Sequence, residues 1–102
     1  MSKSILETRK GKCFLCGQYE MTETHHIFGG PNRRLSDEDG LVVYLCPYCH
    51  NIPPNGVHYD ANAMKKLRQV GQEAYEKKRV AEGLSADEAR KEFMQRYGKN
   101  YL

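Results

Sequence analysis

The chain has no apolar run long enough to cross a membrane. Its longest uninterrupted stretch is Leu41 to Cys46, whereas a spanning helix needs about 20 apolar residues. No secretory leader is expected, because the start, Met-Ser-Lys-Ser-Ile-Leu-Glu-Thr-Arg-Lys, carries no apolar core. The expectation is a chain that stays in a reducing cytoplasm, with no membrane partner. There is no low-complexity segment and no internal repeat beyond a paired Cys-x-x-Cys. Residues 60–102 contain no Cys, His or Pro, whereas residues 13–58 hold all four cysteines, all four histidines and all four prolines. Hydrophobic residues are only 39% of a 102-residue chain. Such a thin core benefits from a staple. The net charge of +3 permits a nucleic-acid partner without demanding one.

Length allows a single domain, 1–102, with a metal-rich platform at 13–58 and a helical part at 60–102. Residues 1–12 are polar and basic and read as a frayed end or one short turn. A first helix starts near Asp60 as N-cap and stops at Gly83, with Ala63, Leu67, Val70, Ala74 and Ala81 on one stripe and Met64 beside it. Gly71 weakens that helix by roughly 1 kcal/mol relative to Ala. A second helix opens on the capping-box pattern Ser85-Ala-Asp-Glu88, buries Ala86, Ala89, Phe93 and Tyr97, and ends at Gly98. Glu20 to Ile27 and Leu41 to Leu45 read as two pairing strands. Phe28 to Gly40 reads as a loop of turn formers between them, and Pro47 to Asn51 as a short helix. The fold class is α+β.

Cys13-Phe-Leu-Cys16 and Cys46-Pro-Tyr-Cys49 are separated by 29 residues. A two-residue spacer lets both thiolates of a knuckle face one tetrahedral ion, and two knuckles complete a closed four-sulfur site of the structural zinc type. Disulfides and a redox dithiol compete with this reading. Neither suits a cytosolic chain without a thioredoxin-like strand–helix pattern. Zinc on Cys13, Cys16, Cys46 and Cys49 would supply the staple.

His25 and His26 are adjacent at the end of the first strand, His50 follows the last cysteine, and His58 follows shortly after. Strand neighbours point to opposite faces, so one histidine of the pair ligates while the other addresses solvent or substrate. Together, Thr24-His-His-Ile27, Leu41-Val-Val-Tyr-Leu-Cys-Pro-Tyr-Cys-His50 and His58 resemble the HNH (His-Me finger, ββα-metal) endonucleases, in their zinc-stapled, four-cysteine branch. The small size and the Arg96-Tyr-Gly-Lys-Asn-Tyr101 tail look like phage or prophage members. The resemblance covers about residues 13–60. It implies a ββα-metal core carrying a four-cysteine zinc knuckle pair, followed by two C-terminal helices. It also implies that His25 ligates a catalytic metal, that His26 is the general base, and that His50 and His58 complete the ligand set, with His25, His26 and His50 as catalytic residues. Two departures stand out. Where the family has a further His one helical turn after the helix His, this chain has Pro54. His58 must then reach the metal from a loop or from the start of the long helix, with Asn51 and Asn55 as substitutes. Where the family has its middle Asn, this chain has Leu41, and Asp39 is the candidate for the same structural job.

The implied activity is metal-dependent hydrolysis of DNA phosphodiester bonds, by nicking or double-strand cutting. A divalent ion polarises the phosphate, and a neutral imidazole takes a proton from water. Imidazole ligands leave Mg²⁺, Mn²⁺, Ni²⁺ and Zn²⁺ open as the catalytic ion. Arg33 and Arg34 are the preferred phosphate contacts, then Lys65, Lys66 and Arg68. Arg96 and Lys99, with Tyr97 and Tyr101, are further candidates. No base-reading element is evident, so sequence preference should be weak. A homodimer or a larger phage or recombination complex is the assembly that double-strand cutting would call for. Two other readings compete: a non-catalytic zinc module binding nucleic acid or a protein partner, and a thiol-based redox or metal-handling protein.

Overall fold

The β-branched run Val42–Leu45 forms strand β2, and Glu23–His26 forms strand β1, paired antiparallel in the register His25 with Val43 and His26 with Val42. The computed structural model describes residues 4–102. Met1–Lys3 of the polar start lie outside them. The described part of that start is neither frayed nor a lone turn, because β2 offers it hydrogen bonds. Ser4 Oγ donates to the Val42 carbonyl (2.6 Å), Ile5 N–H to Gly40 O (2.9 Å), and Tyr44 N–H to Thr8 Oγ1 (3.1 Å). The segment therefore runs as a strap beside β2 and leads into the first cysteine pair.

The stretch Phe28 to Gly40 is not the loop its composition indicates. A 3-10 turn at Gly30–Asn32 leads into helix α1, Arg33–Glu38. Pro31 presets the first turn, Arg34 pairs with Glu38 at i,i+4 (2.8 Å), and Gly40 takes positive φ (70°) to turn the chain into β2. The turn formers thus start and stop a helix. Helix α2, Pro47–Asn51, is where the sequence reading puts it, with Cys46 as its N-cap.

Helix α3 (Ala61–Ala81) is capped by Asp60, whose carboxylate accepts from Asn62 and Ala63 N–H. Its buried face is Leu67, Gly71, Gln72 and Tyr75, rotated from the expected alanine stripe, and Ala81 is exposed. Two contacts set the rotation. A Cβ on Gly71 would lie 3.0 Å from Ile27 Cγ2 and 3.2 Å from Phe28 Cε2, so the missing side chain is what lets α3 sit on the end of β1. Gln72 is tolerated inside because its amide donates to Glu76 and Asn100 and accepts from Tyr101 N–H. Helix α4 (Ala86–Tyr97) keeps the expected capping box and its Gly98 stop (φ 81°), and buries Ala89, Phe93 and Tyr97, while Ala86 is exposed. One core cluster runs from Cys13 through Ile27, Leu41, Val43 and Leu45 to Leu67, Phe93 and Tyr97. Among the described residues the architecture is therefore α+β: a two-stranded sheet, four α-helices and a cysteine cluster. No helix among the described residues is long and apolar enough to cross a membrane.

Candidate metal centres

The sulfurs of Cys13, Cys16, Cys46 and Cys49 lie within 4.8 Å of one another. Each knuckle is shaped by backbone donors. Cys16 N–H points at Cys13 Sγ (3.5 Å) and Cys49 N–H at Cys46 Sγ (3.4 Å), while Gly17 turns the first knuckle at φ 75°. Burial opposes the thiolate at Cys13, but N–H groups of Cys16, Cys46 and Leu15 outweigh it and lower its pKa to about 6. Burial pushes Cys46 and Cys49 up, so an unmetallated cluster keeps protons there. Cys16 Sγ and Cys46 Sγ are 3.8 Å apart. A tetrahedron with sulfur ~2.3 Å from its centre has edges of ~3.8 Å. The four residues fit a closed zinc-type site.

The second cluster is built from β1, α2 and the segment after α2. His25, His50 and His58 offer ring nitrogens within 4.8 Å of one another, and His50 Nε2 and His58 Nε2 are 3.2 Å apart. Pro54 does interrupt the helix, but the chain doubles back. Gly56 N–H donates to Ile52 O (2.8 Å) and Val57 N–H to Cys49 O (2.7 Å). A Cβ at Gly56 would strike Ile52 N at 2.7 Å, so this fold-back needs glycine. It delivers His58 beside His50 from a loop. Neither asparagine substitute is called on: Asn55 bonds Tyr48 OH, and Asn51 is exposed.

The chemistry of the donor set suits a cation. His25 is 3% exposed and its Nε2 has no hydrogen-bond partner. Burial, then the neighbouring His50 and His58, lower its pKa to about 3. His58 is lowered too, by burial and by His50. Both imidazoles are therefore neutral near pH 7, with lone pairs available. Glu23 Oε1 lies 2.7 Å from His50 Nδ1. With Nδ1–H donating to that carboxylate, Nε2 faces the cluster as an acceptor.

Strand alternation separates the two adjacent histidines as expected. Glu23 and His25 share the face that meets α2, whereas His26 turns to α1, where its Nε2 sits 3.3 Å from Asp37 Oδ1. His26 and Asp37 line a groove of about 560 Å³ together with Gly30, Arg33 and Arg34. The preferred phosphate contacts thus flank His26, from a helix and not from a loop. Lys65 and Lys66 are exposed on the first turns of α3, and Arg68 is partly buried.

Two expectations need correction. Arg96 is engaged inside the fold, with Nε 2.6 Å from Asp39 Oδ2 and a second bond to Glu38, and Tyr97 is buried with its hydroxyl on the same Asp39 carboxylate. Asp39 therefore anchors α4 and does not hold the loop. That role belongs to buried Ser36, whose Oγ accepts from Phe28 N–H (3.2 Å) and donates to Leu41 O (2.6 Å). Glu23, Ser36 and Asp37 were not singled out from sequence. The available signal was Glu23 lying two residues before His25, hence on its strand face; Ser36 and Asp37 were concealed in the supposed loop. The chain matches no protein-family model, no curated protein and no solved structure.

Proposed function

We propose that the chain is a metal-dependent HNH-type endonuclease hydrolysing DNA phosphodiester bonds, built on a ββα-metal core formed by β1, β2 and α2 and stapled by zinc on Cys13, Cys16, Cys46 and Cys49. The observation that carries this reading is the convergence of His25, His50 and His58, with the nitrogen of His25 buried and unpartnered. A divalent ion bound by those three nitrogens would polarise the scissile phosphate and neutralise the departing oxygen. Burial keeps His25 a lone-pair donor, and Glu23 fixes the ring of His50. His26 is the proton acceptor for water, held by Asp37 at the mouth of the groove. Arg33 and Arg34, exposed on α1 beside it, bind the flanking backbone. Leu41 in place of the family's Asn is compatible with this, because Ser36 closes the loop by its own hydroxyl.

The test is supercoiled plasmid incubated with the protein and Mn²⁺, Ni²⁺ or Mg²⁺. Nicking is expected, and His26→Ala should abolish it with fold and zinc content unchanged. Clean protein that shifts DNA on a gel but cuts in none of these ions would make the chain a non-catalytic zinc-binding module instead.

A further inference from the structure

A cavity of about 460 Å³ lies between the first turns of α3 and the segment after α4, lined by Ala61, Met64, Lys65, Arg68, Lys99 and Tyr101 among others. No Asp or Glu side chain lines it. Arg79, Arg90 and Arg96 in the same helical part each pair with a carboxylate. Arg68 has no such partner among the described residues, and its Nε is buried without a hydrogen bond. A buried donor left unmatched in a cationic pocket requires an explanation, and an anion supplies one.

The pocket is also prearranged. Gln72 Oε1 accepts from Tyr101 N–H (2.8 Å), and Gln69 Nε2 donates to Tyr101 O (3.1 Å). The Tyr101 ring then rests 5.4 Å from the buried Phe28 ring. Arg68 Cζ and Lys99 Nζ stand 5.8 and 5.3 Å from the Tyr101 ring centre, so one aromatic gathers both cations. Ala61 in its lining follows His58 by three residues, which puts the pocket close to the three-histidine cluster. Lys77 is exposed on the same helix and is not part of the lining.

We propose that Lys65, Arg68 and Lys99 form a binding pocket for a backbone phosphate of the DNA strand next to the His25–His50–His58 centre, with Tyr101 as the positioning residue that gathers its cations. The identity of the ligand as DNA rests on the nuclease reading. The pocket itself rests on the cavity, the unmatched Arg68 donor and the Tyr101 contacts.

The experiment is fluorescence anisotropy of the zinc-loaded chain with a short labelled DNA duplex across a salt series, with no other divalent ion added. Arg68→Gln and Lys99→Gln should each weaken binding several-fold and reduce the salt slope by about 1, as loss of one phosphate contact does. Lys77→Gln removes the same charge outside the pocket and should leave the slope unchanged. Tyr101→Phe should bind as wild type, and Tyr101→Leu should weaken binding as Arg68→Gln does. The Arg68 Nε–H resonance should shift on adding DNA, and on adding inorganic phosphate only at much higher concentration. A Lys77→Gln effect equal to the other two, wild-type slopes in Arg68→Gln and Lys99→Gln, or an unmoved Arg68 resonance would overturn the pocket. Plasmid cutting alongside unaltered slopes would sink the pocket alone, whereas strong slope changes without any cutting would sink only the nuclease.

Discussion

Ser36→Ala tests whether one hydroxyl holds the loop that separates the two strands. Ser36 is fully buried, and alanine nearly matches its volume, so the change is one of hydrogen bonding and not of packing. Leu41 O loses the 2.6 Å bond from Ser36 Oγ but keeps the one from Ile27 N–H (3.0 Å). Phe28 N–H loses its acceptor and has no other among the described residues. A lost bond costs about 1 kcal/mol and an orphaned buried N–H about 1–3 kcal/mol, which places the loss at ~2–4 kcal/mol. For a domain of this size that lowers Tm by roughly 8–32 °C. Urea unfolding with zinc saturating in both proteins, so that metal linkage cancels, is the direct measurement. A loss below ~0.5 kcal/mol, the level of an ordinary surface change, would refute the assignment of loop closure to Ser36. Because the bond joins the residues just past β1 to those just before β2, plasmid nicking should fall with it.

Gly71→Ala sets a helix-propensity gain of about 1 kcal/mol against overpacking of about 1–3 kcal/mol. Ile27 and Phe28 are fully enclosed and cannot retreat, so a net loss near 1 kcal/mol is expected in the same unfolding assay. Glu23→Ala should weaken Ni²⁺ or Mn²⁺ binding at the histidine cluster about 10–100-fold, the usual cost of removing a ligand's supporting carboxylate. Calorimetric titration would show it, with cysteine-bound zinc unchanged. Tyr97 carries a phenol raised above its ordinary range by burial and by Asp39, and Tyr75 one raised by burial and by Glu92. The unfolded chain gives up those protons first, near pH 10, so stability is intact below that pH and falls as pH rises past it. Tyr97→Phe should flatten that fall in urea midpoints taken across the alkaline range, and an unchanged slope would count against it.

What the sequence made legible was local. Two-residue spacers, the cap at Asp60, the box at Ser85 and the stop at Gly98 are decided within one turn of chain, and they stand as read. The separation of His25 from His26 also follows from strand geometry alone. Failures came where a distant partner decides. The buried face of α3 turns on Ile27 and Phe28 meeting Gly71, a contact that no helical periodicity contains. Gln72 is outside the expected stripe, because the partners that make it a core residue, Asn100 and Tyr101, lie far along the chain. Turn-forming residues hid α1 because the same residue types that break a helix also begin and end one. The convergence of His25, His50 and His58 came from resemblance and not from spacing: a loop that folds back through Gly56 has no periodic signature.

The placement of the cysteine cluster follows from where the fold is weakest. Helices α3 and α4 are joined by a short turn and locked by Arg79 to Glu92 and Arg90 to Glu76, so their ordering closes little chain. By contrast, β1 and β2 are four residues each, and a two-stranded ribbon of that length is marginal alone. The segment between the knuckles, 29 residues long, contains both strands and α1. Clipping its ends together removes about 3–4 kcal/mol of loop-closure entropy from the unfolded chain. The same clip would brace the histidines too, because α2 belongs to both clusters. Cys46 caps it, its carbonyl accepts from His50 N–H (3.0 Å), and the Cys49 carbonyl draws in Val57 N–H just before His58. Metal held on the sulfurs would therefore also brace two of the three imidazoles through a single turn of helix.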